Sequence, residues 1–175
     1  MLVIIFLQWL LVRQADSTLV LSMMQEFEPK DNNTLITYPI HLNQEWRLSF
    51  QFQPNKYISN WANLLQLTIG DKMKDYGDRT PAIFFHKSQG MMVASAVNGH
   101  KSFQPKNGSK YWNLPEIGKW TQVVVGQQKE ESSKNVHFFM TINNVEMFRV
   151  LNTKPMNFSN VQVILCHSLL APQVL

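Results

Sequence analysis

Between residues 45 and 53 apolar and polar side chains alternate strictly. Trp46, Leu48, Phe50 and Phe52 fall on one side, and Arg47, Ser49, Gln51 and Gln53 on the other. A period of two is that of a β-strand with one face on a core and the other in water. The pattern recurs. Asn63, Leu65, Leu67 and Ile69 alternate with Leu64, Gln66 and Thr68 before Gly70-Asp71 stops the run. Residues 81–86 and 91–97 are short apolar runs, and the second closes on Asn98-Gly99, a strong hairpin signal. Val123 and Val125 alternate with polar or small partners within residues 121–127. Val136, Phe138, Met140 and Ile142 alternate with His137, Phe139 and Thr141, and Asn143-Asn144 turns the chain into residues 145–150. Residues 161–165 form the last clear strand. After residue 18 no stretch holds an amphipathic helical stripe over three turns. About eight strands separated by turn signals predict an all-β, two-sheet antiparallel sandwich of jelly-roll type.

The 175 residues, 45% of them hydrophobic, suit one domain with a real core and are too few for two ordinary ones. Only 16% are charged, and aromatic residues are plentiful, which is the opposite of a disordered composition. A single cysteine excludes a disulfide scaffold and a four-cysteine zinc module. Cys166 follows an apolar run and reads as a buried, inert thiol.

Residues 2–12, LVIIFLQWLLV, are apolar except for Gln8. As a helix they would span roughly 16 Å, about half a bilayer core. That length, at the extreme N-terminus, suits the apolar region of an export signal. Ala15 and Ser17 have the small-residue spacing of a cleavage site before Thr18, so residues 1–17 are expected to be a signal peptide. An uncleaved anchor and a buried first strand are the alternatives, because no Lys or Arg precedes the apolar run. Three glycosylation triplets, at Asn32, Asn107 and Asn157, agree with a secreted, extracellular glycoprotein. The expected organisation after the signal is a lead-in strand and loop (residues 18–34), the sandwich (35–165) and an atypical tail (166–175).

Several of these segments together look like a known family. They are Glu45-Trp46-Arg47-Leu48-Ser49-Phe50, Trp61-Ala62-Asn63-Leu64-Leu65 running to Gly70, and Tyr76-Gly77-Asp78-Arg79-Thr80-Pro81-Ala82-Ile83. After them come Asn98-Gly99, Gly118-Lys119-Trp120-Thr121, the Ile142-Asn143-Asn144 hairpin and an Asn157-Phe158 ending. Over residues 35–165 this series resembles the laminin G-like branch of the concanavalin A-like lectin sandwiches. The resemblance implies an extracellular jelly roll that binds glycans or proteins at its rim, often beside calcium. It also implies a further strand closing the sheet, whereas here the chain ends on a tail with Pro172 in its middle. That tail is either a poor closing strand or the end of a truncated product. A missing strand would leave an open edge, which invites self-association or pairing with a partner.

Catalytic signatures are scarce. No nucleophile elbow, zincin motif, phosphate loop or dinucleotide fingerprint is present. Glycoside hydrolysis needs two facing carboxylates, and no strand offers a pair. The chain is therefore expected to be a non-catalytic recognition module for glycans or for matrix and cell-surface proteins. A glycan-cleaving enzyme on the same sandwich, or an adhesive secreted protein without a defined ligand, are the alternatives.

Asp71, Asp75 and Asp78 form the densest acidic cluster and offer oxygen ligands for calcium. The interleaved Lys72, Lys74 and Arg79 argue instead for a solvated turn in which Asp78 pairs with Arg79 or caps a backbone N–H. Between Asp71 and Trp120, eight Lys and Arg face four Asp and Glu, which carries the whole net charge of +4. If Lys72, Lys74, Arg79, Lys101, Lys106 and Lys110 share a rim, they make a basic patch for sulfated glycans or anionic surfaces. Scattered lysines on an ordinary surface are the alternative. Nucleic acid is not an expected partner, because no dense basic run is present. Trp61 and Trp112 lie among polar residues and could offer flat platforms, although Leu64-Leu65 favours core packing for Trp61. Trp46 and Trp120, at strand starts, are expected in the core. His86, His100 and His137 have no metal-ligand spacing.

Overall fold

A computed structural model of the chain describes residues 5–14, 17–27, 34–57, 59–70, 75–107 and 111–168. They form strands β1 (Ile5–Gln14), β2 (Ser17–Phe27), β3 (Thr34–Leu42), β4 (Trp46–Pro54), β5 (Ala62–Thr68) and β6 (Ala82–His86). The remaining strands are β7 (Gly90–Val97), β8 (His100–Phe103), β9 (Thr121–Lys129), β10 (Val136–Ile142), β11 (Val145–Asn152) and β12 (Phe158–Ser168). No helix occurs among the described residues. The strands make two antiparallel sheets, ordered β11-β10-β9-β4-β1-β2 and β3-β12-β5-β6-β7-β8. The all-β, two-sheet antiparallel sandwich expected from the alternation is the architecture found.

The core is the seam between the sheets. β4 contributes Trp46, Leu48, Phe50 and Phe52, all buried, while Arg47 is exposed and Gln51 and Gln53 are half-buried. β9 and β10 add Val123, Val125, Phe138 and Met140, and the second sheet answers with Leu65, Leu67, Ile83, Phe85, Met91 and Val93. Burying one such side chain stabilises the fold by roughly 1.5–3 kcal/mol. Phe52 meets Phe85 across the seam with ring centroids 5.4 Å apart.

Two turns follow directly from their residues. Asn98-Gly99 and Asn143-Asn144 hold positive φ at both positions, 56° and 80° in the first and 48° and 67° in the second. Two-residue hairpin turns of the kind matched to strand twist require that conformation, and Asn and Gly tolerate it best.

β5 departs from simple alternation. A register irregularity between Asn63 and Leu65 puts Leu64, Leu65 and Leu67 all in the core. Asn63 therefore leaves the face of Leu65 and joins Gln66, to which its Nδ2 donates at 3.0 Å. An inserted residue reverses facing beyond it, which a strict period of two cannot anticipate.

The N-terminal segment expected as an export signal forms β1. β1 is an interior strand, paired with β4 on one side and with β2 on the other. The last strand runs further than residues 161–165. β12 reaches Ser168 and lies between β3 and β5, so the first residues of the expected tail are a paired strand of the second sheet. Residues 169–175 lie outside the described residues, as does the side chain of Cys166.

Candidate functional site

The second sheet is buried on both faces along β6 and β7. Ile83, Phe85, Met91 and Val93 point into the sandwich. Ala82, Phe84, Met92 and Ala94 form a separate cluster on the outer face, packed against half-buried Trp61 and Tyr111. Trp61 is the centre of an aromatic ledge. Its ring lies edge-on to Tyr111 at 5.4 Å and is tilted against His86 at 5.2 Å. The Lys106 ammonium sits 5.0 Å from the Tyr111 ring centre.

Beside this ledge lies an open cleft of about 490 Å³ lined by Lys87, Ser88, Gln89, Gly90, Tyr111, Trp112 and Asn113. Its floor is a short antiparallel bridge in which Met91 and Trp112 exchange both backbone hydrogen bonds, at 2.7 and 3.1 Å. Gly90 makes the close approach feasible. Its φ is +103°, and a β-carbon there would strike the carbonyl oxygen of Trp112.

The bridge corrects the expectation for Trp112, which is buried rather than exposed. Its partner Met91 faces the core, and directly opposed residues share a face. The Trp112 indole thus enters the core and stacks on Phe148. Tyr111, one residue earlier, takes the outer face. Trp120 is corrected the other way, being 44% exposed. Val123 and Thr121 face inward, so Trp120 has the outward parity of Gln122. That parity was legible in the sequence, whereas the pairing that buries Trp112 is not local. Trp46 lies in the core as expected.

The expected basic residues are partly brought together. Arg79 is half-buried and donates from Nη1 to Ser102 Oγ at 2.9 Å. Its guanidinium lies 5.4 Å from the Phe84 ring centre. Arg79 Nε has no hydrogen-bond partner and no carboxylate forms an ion pair with Arg79 among the described residues. Burial lowers its pKa, and the nearby charge of Asp78 opposes that shift. Lys101, next to Ser102, is exposed and stands 3.8 Å from Asp75. Arg79 and Lys101 both reach β8, but Arg79 bonds Ser102 on its outer side whereas Lys101 has the parity of Phe103, which packs toward the core, so the two cations do not share a face. Lys106 follows on the chain toward Tyr111. Lys72, Lys74 and Lys110 lie outside the described residues.

For the acidic cluster, Asp78 is buried and its Oδ2 accepts the Asp75 N–H at 2.7 Å. Asp75 turns outward to Lys101. Asp78 thus caps a backbone N–H, and these two carboxylates do not form a cation cage. No group of three metal-ligating side chains occurs among the described residues, which exclude Asp71. Of the glycosylation triplets, Asn107 and Asn157 are exposed, and Asn32 lies outside the described residues.

No family model matches this chain, and no curated protein matches it.

The residues that sequence reasoning passed over here are Tyr111, Lys87, Asn63 and Gln66. Gln66 donates to the Asp78 carbonyl at 2.7 Å, so Asn63, Gln66 and Asp78 form a buried polar chain under the ledge. The chain holds the turn that carries Arg79. Chemically, the outer face offers aromatic rings, exposed ammonium groups and the hydroxyl and amides of Ser88, Gln89 and Asn113.

Proposed function

We propose that this protein is a secreted, non-catalytic recognition module of laminin G-like type that binds glycan chains on the outer face of its second sheet. The observation that carries this reading is the Trp61–Tyr111 ledge beside a polar cleft, with Lys106 over the Tyr111 ring. A pyranose presents C–H groups on its faces and hydroxyls around its rim. Aromatic rings suit the first, and the side chains of Ser88, Gln89 and Asn113 suit the second. Lys87, Lys106 and Arg79 favour glycans that carry sulfate or carboxylate groups. The exposed Asn107 and Asn157 are expected to carry glycans of their own.

The test is a glycan array probed with the secreted chain, alongside a reducing-sugar assay on any glycan retained. Binding without release of reducing ends is expected, and Tyr111→Ala should weaken it about tenfold. An array without binders, or binding that Tyr111→Ala leaves unchanged, would remove the site. Release of reducing ends would favour a glycan-cleaving enzyme.

A further inference from the structure

β4 is paired along its length on both sides, with β9 and with β1. β1 is the same segment that reads as an export signal. We propose that removal of residues 1–17 opens the β4 edge, and that a second copy of the chain closes it, β4 against β4 in antiparallel alignment. The processed protein is then a twofold dimer whose first sheet runs through both copies. This rests on the export reading, and it is independent of any glycan.

β4 cannot avoid exposure by leaving the sheet. Trp46, Leu48, Phe50 and Phe52 anchor it in the core, and β9 holds it in regular register from Trp46 to Phe52. Without β1, alternate N–H and C=O groups along the strand lose their partners, and a sheet edge of that kind templates pairing. The strand also lacks the usual edge protection. Arg47 is its one charged residue, no lysine is present, and Pro54 stands at its very end. Self-pairing brings no charge conflict: an antiparallel pair centred on Phe50 sets Arg47 against Gln53 and Ser49 against Gln51.

The chain's own β2 is a poor substitute. Among the described residues, β2 also loses its only strand partner when β1 goes. Both β2 and β4 run antiparallel to β1, so β2 in its present direction offers β4 only a parallel pairing, the slightly less stable kind. A reversed β2 could not pair with β4 over its full length. A reversed β2 would end level with Trp46, near Leu42, whereas β3 begins at Thr34, about 27 Å further along and on the other sheet roughly 10 Å away. The link from Phe27 to Thr34 extends to at most about 25 Å.

The experiment compares two secreted products by mass spectrometry and light scattering. One is the full chain exported by its own N-terminus. The other is the full chain behind a foreign signal sequence cleaved ahead of Met1, with Ala15→Leu to remove the later cleavage site, so that it keeps β1. The first is expected to begin at Thr18 and to be a dimer, and the second to be a monomer. Gln51→Lys with Gln53→Lys adds two like charges to each β4 edge and should weaken the dimer at least tenfold. The same pair in the chain that keeps β1 checks folding. An intact Met1 in the first product overturns the processing step. A product beginning at Thr18 that stays monomeric, or a dimer that the two lysines do not weaken, overturns the self-pairing.

Discussion

The Trp112 ring stacks on that of Phe148, with centroids 6.0 Å apart and planes 26° from parallel. Phe148 belongs to β11 in the first sheet, and Trp112 is bridged to Met91 in the second, so this contact ties the two sheets together on the side away from β1. Truncating a buried Trp removes its transfer free energy and leaves a cavity. Trp112→Ala is therefore expected to destabilise the domain by roughly 3–5 kcal/mol, read from urea unfolding. A loss below about 1 kcal/mol would mean that the indole is not in the core.

A second tie joins the sheets through two asparagines. Asn152 Oδ1 accepts the Asn98 N–H at 2.9 Å, and Asn98 Oδ1 accepts the Thr153 N–H at 2.6 Å. Asn152 Nδ2 also donates to Gln127 Oε1. Asn152 is buried, so its truncation strands several polar groups. Asn152 Oδ1 also accepts the Lys154 N–H at 3.1 Å, so Asn152→Ala should cost about 1–3 kcal/mol, and hydrogen exchange at the Asn98 and Lys154 amides should quicken. Unchanged exchange at both amides would contradict the tie.

Tyr57 gives a pH signature. Its hydroxyl donates to the Pro115 carbonyl at 2.8 Å, and burial pushes its pKa well above the ordinary value of 10.0. The unfolded chain then releases this proton near pH 10 while the folded chain keeps it. The stabilisation is fully present below pH 10 and is lost as pH rises toward the folded value, at up to about 1.4 kcal/mol per pH unit. Unfolding midpoints of the native chain should fall more steeply above pH 10 than those of Tyr57→Phe. Parallel curves would show that the hydroxyl is not buried.

Lys101 in β8 and Lys106 just beyond it predict a salt-dependent affinity for sulfated polymers. Lys101 and Lys106 are exposed, and screening shortens the reach of such charges from ~8 Å at 0.15 M salt to ~3 Å at 1 M. Elution from a heparin column should shift to lower salt when both are replaced by alanine. Stability should change by less than about 0.5 kcal/mol, because exposed pairs such as Lys101–Asp75 contribute little. Passage of the native protein through the column at low salt would end this idea.

The class of fold and the faces of its regular strands follow from local side-chain pattern. The alternation at Trp46, Leu48, Phe50 and Phe52 is a local property of side chains on a pleated backbone, and the positive φ values at Asn98-Gly99 and Asn143-Asn144 are local properties of turn residues. Tertiary structure decided what depends on pairing between distant segments. Trp112 went inward because it opposes Met91, which gave the outer ledge to Tyr111, and a register irregularity in β5 turned Asn63 over to Gln66. The same holds for β1. Its apolar run reads as a signal, with a buried strand as an alternative, and only its pairing with β2 and β4 gives it a place in the sheet, because hydrophobicity fixes that a segment leaves water but not which neighbour it meets.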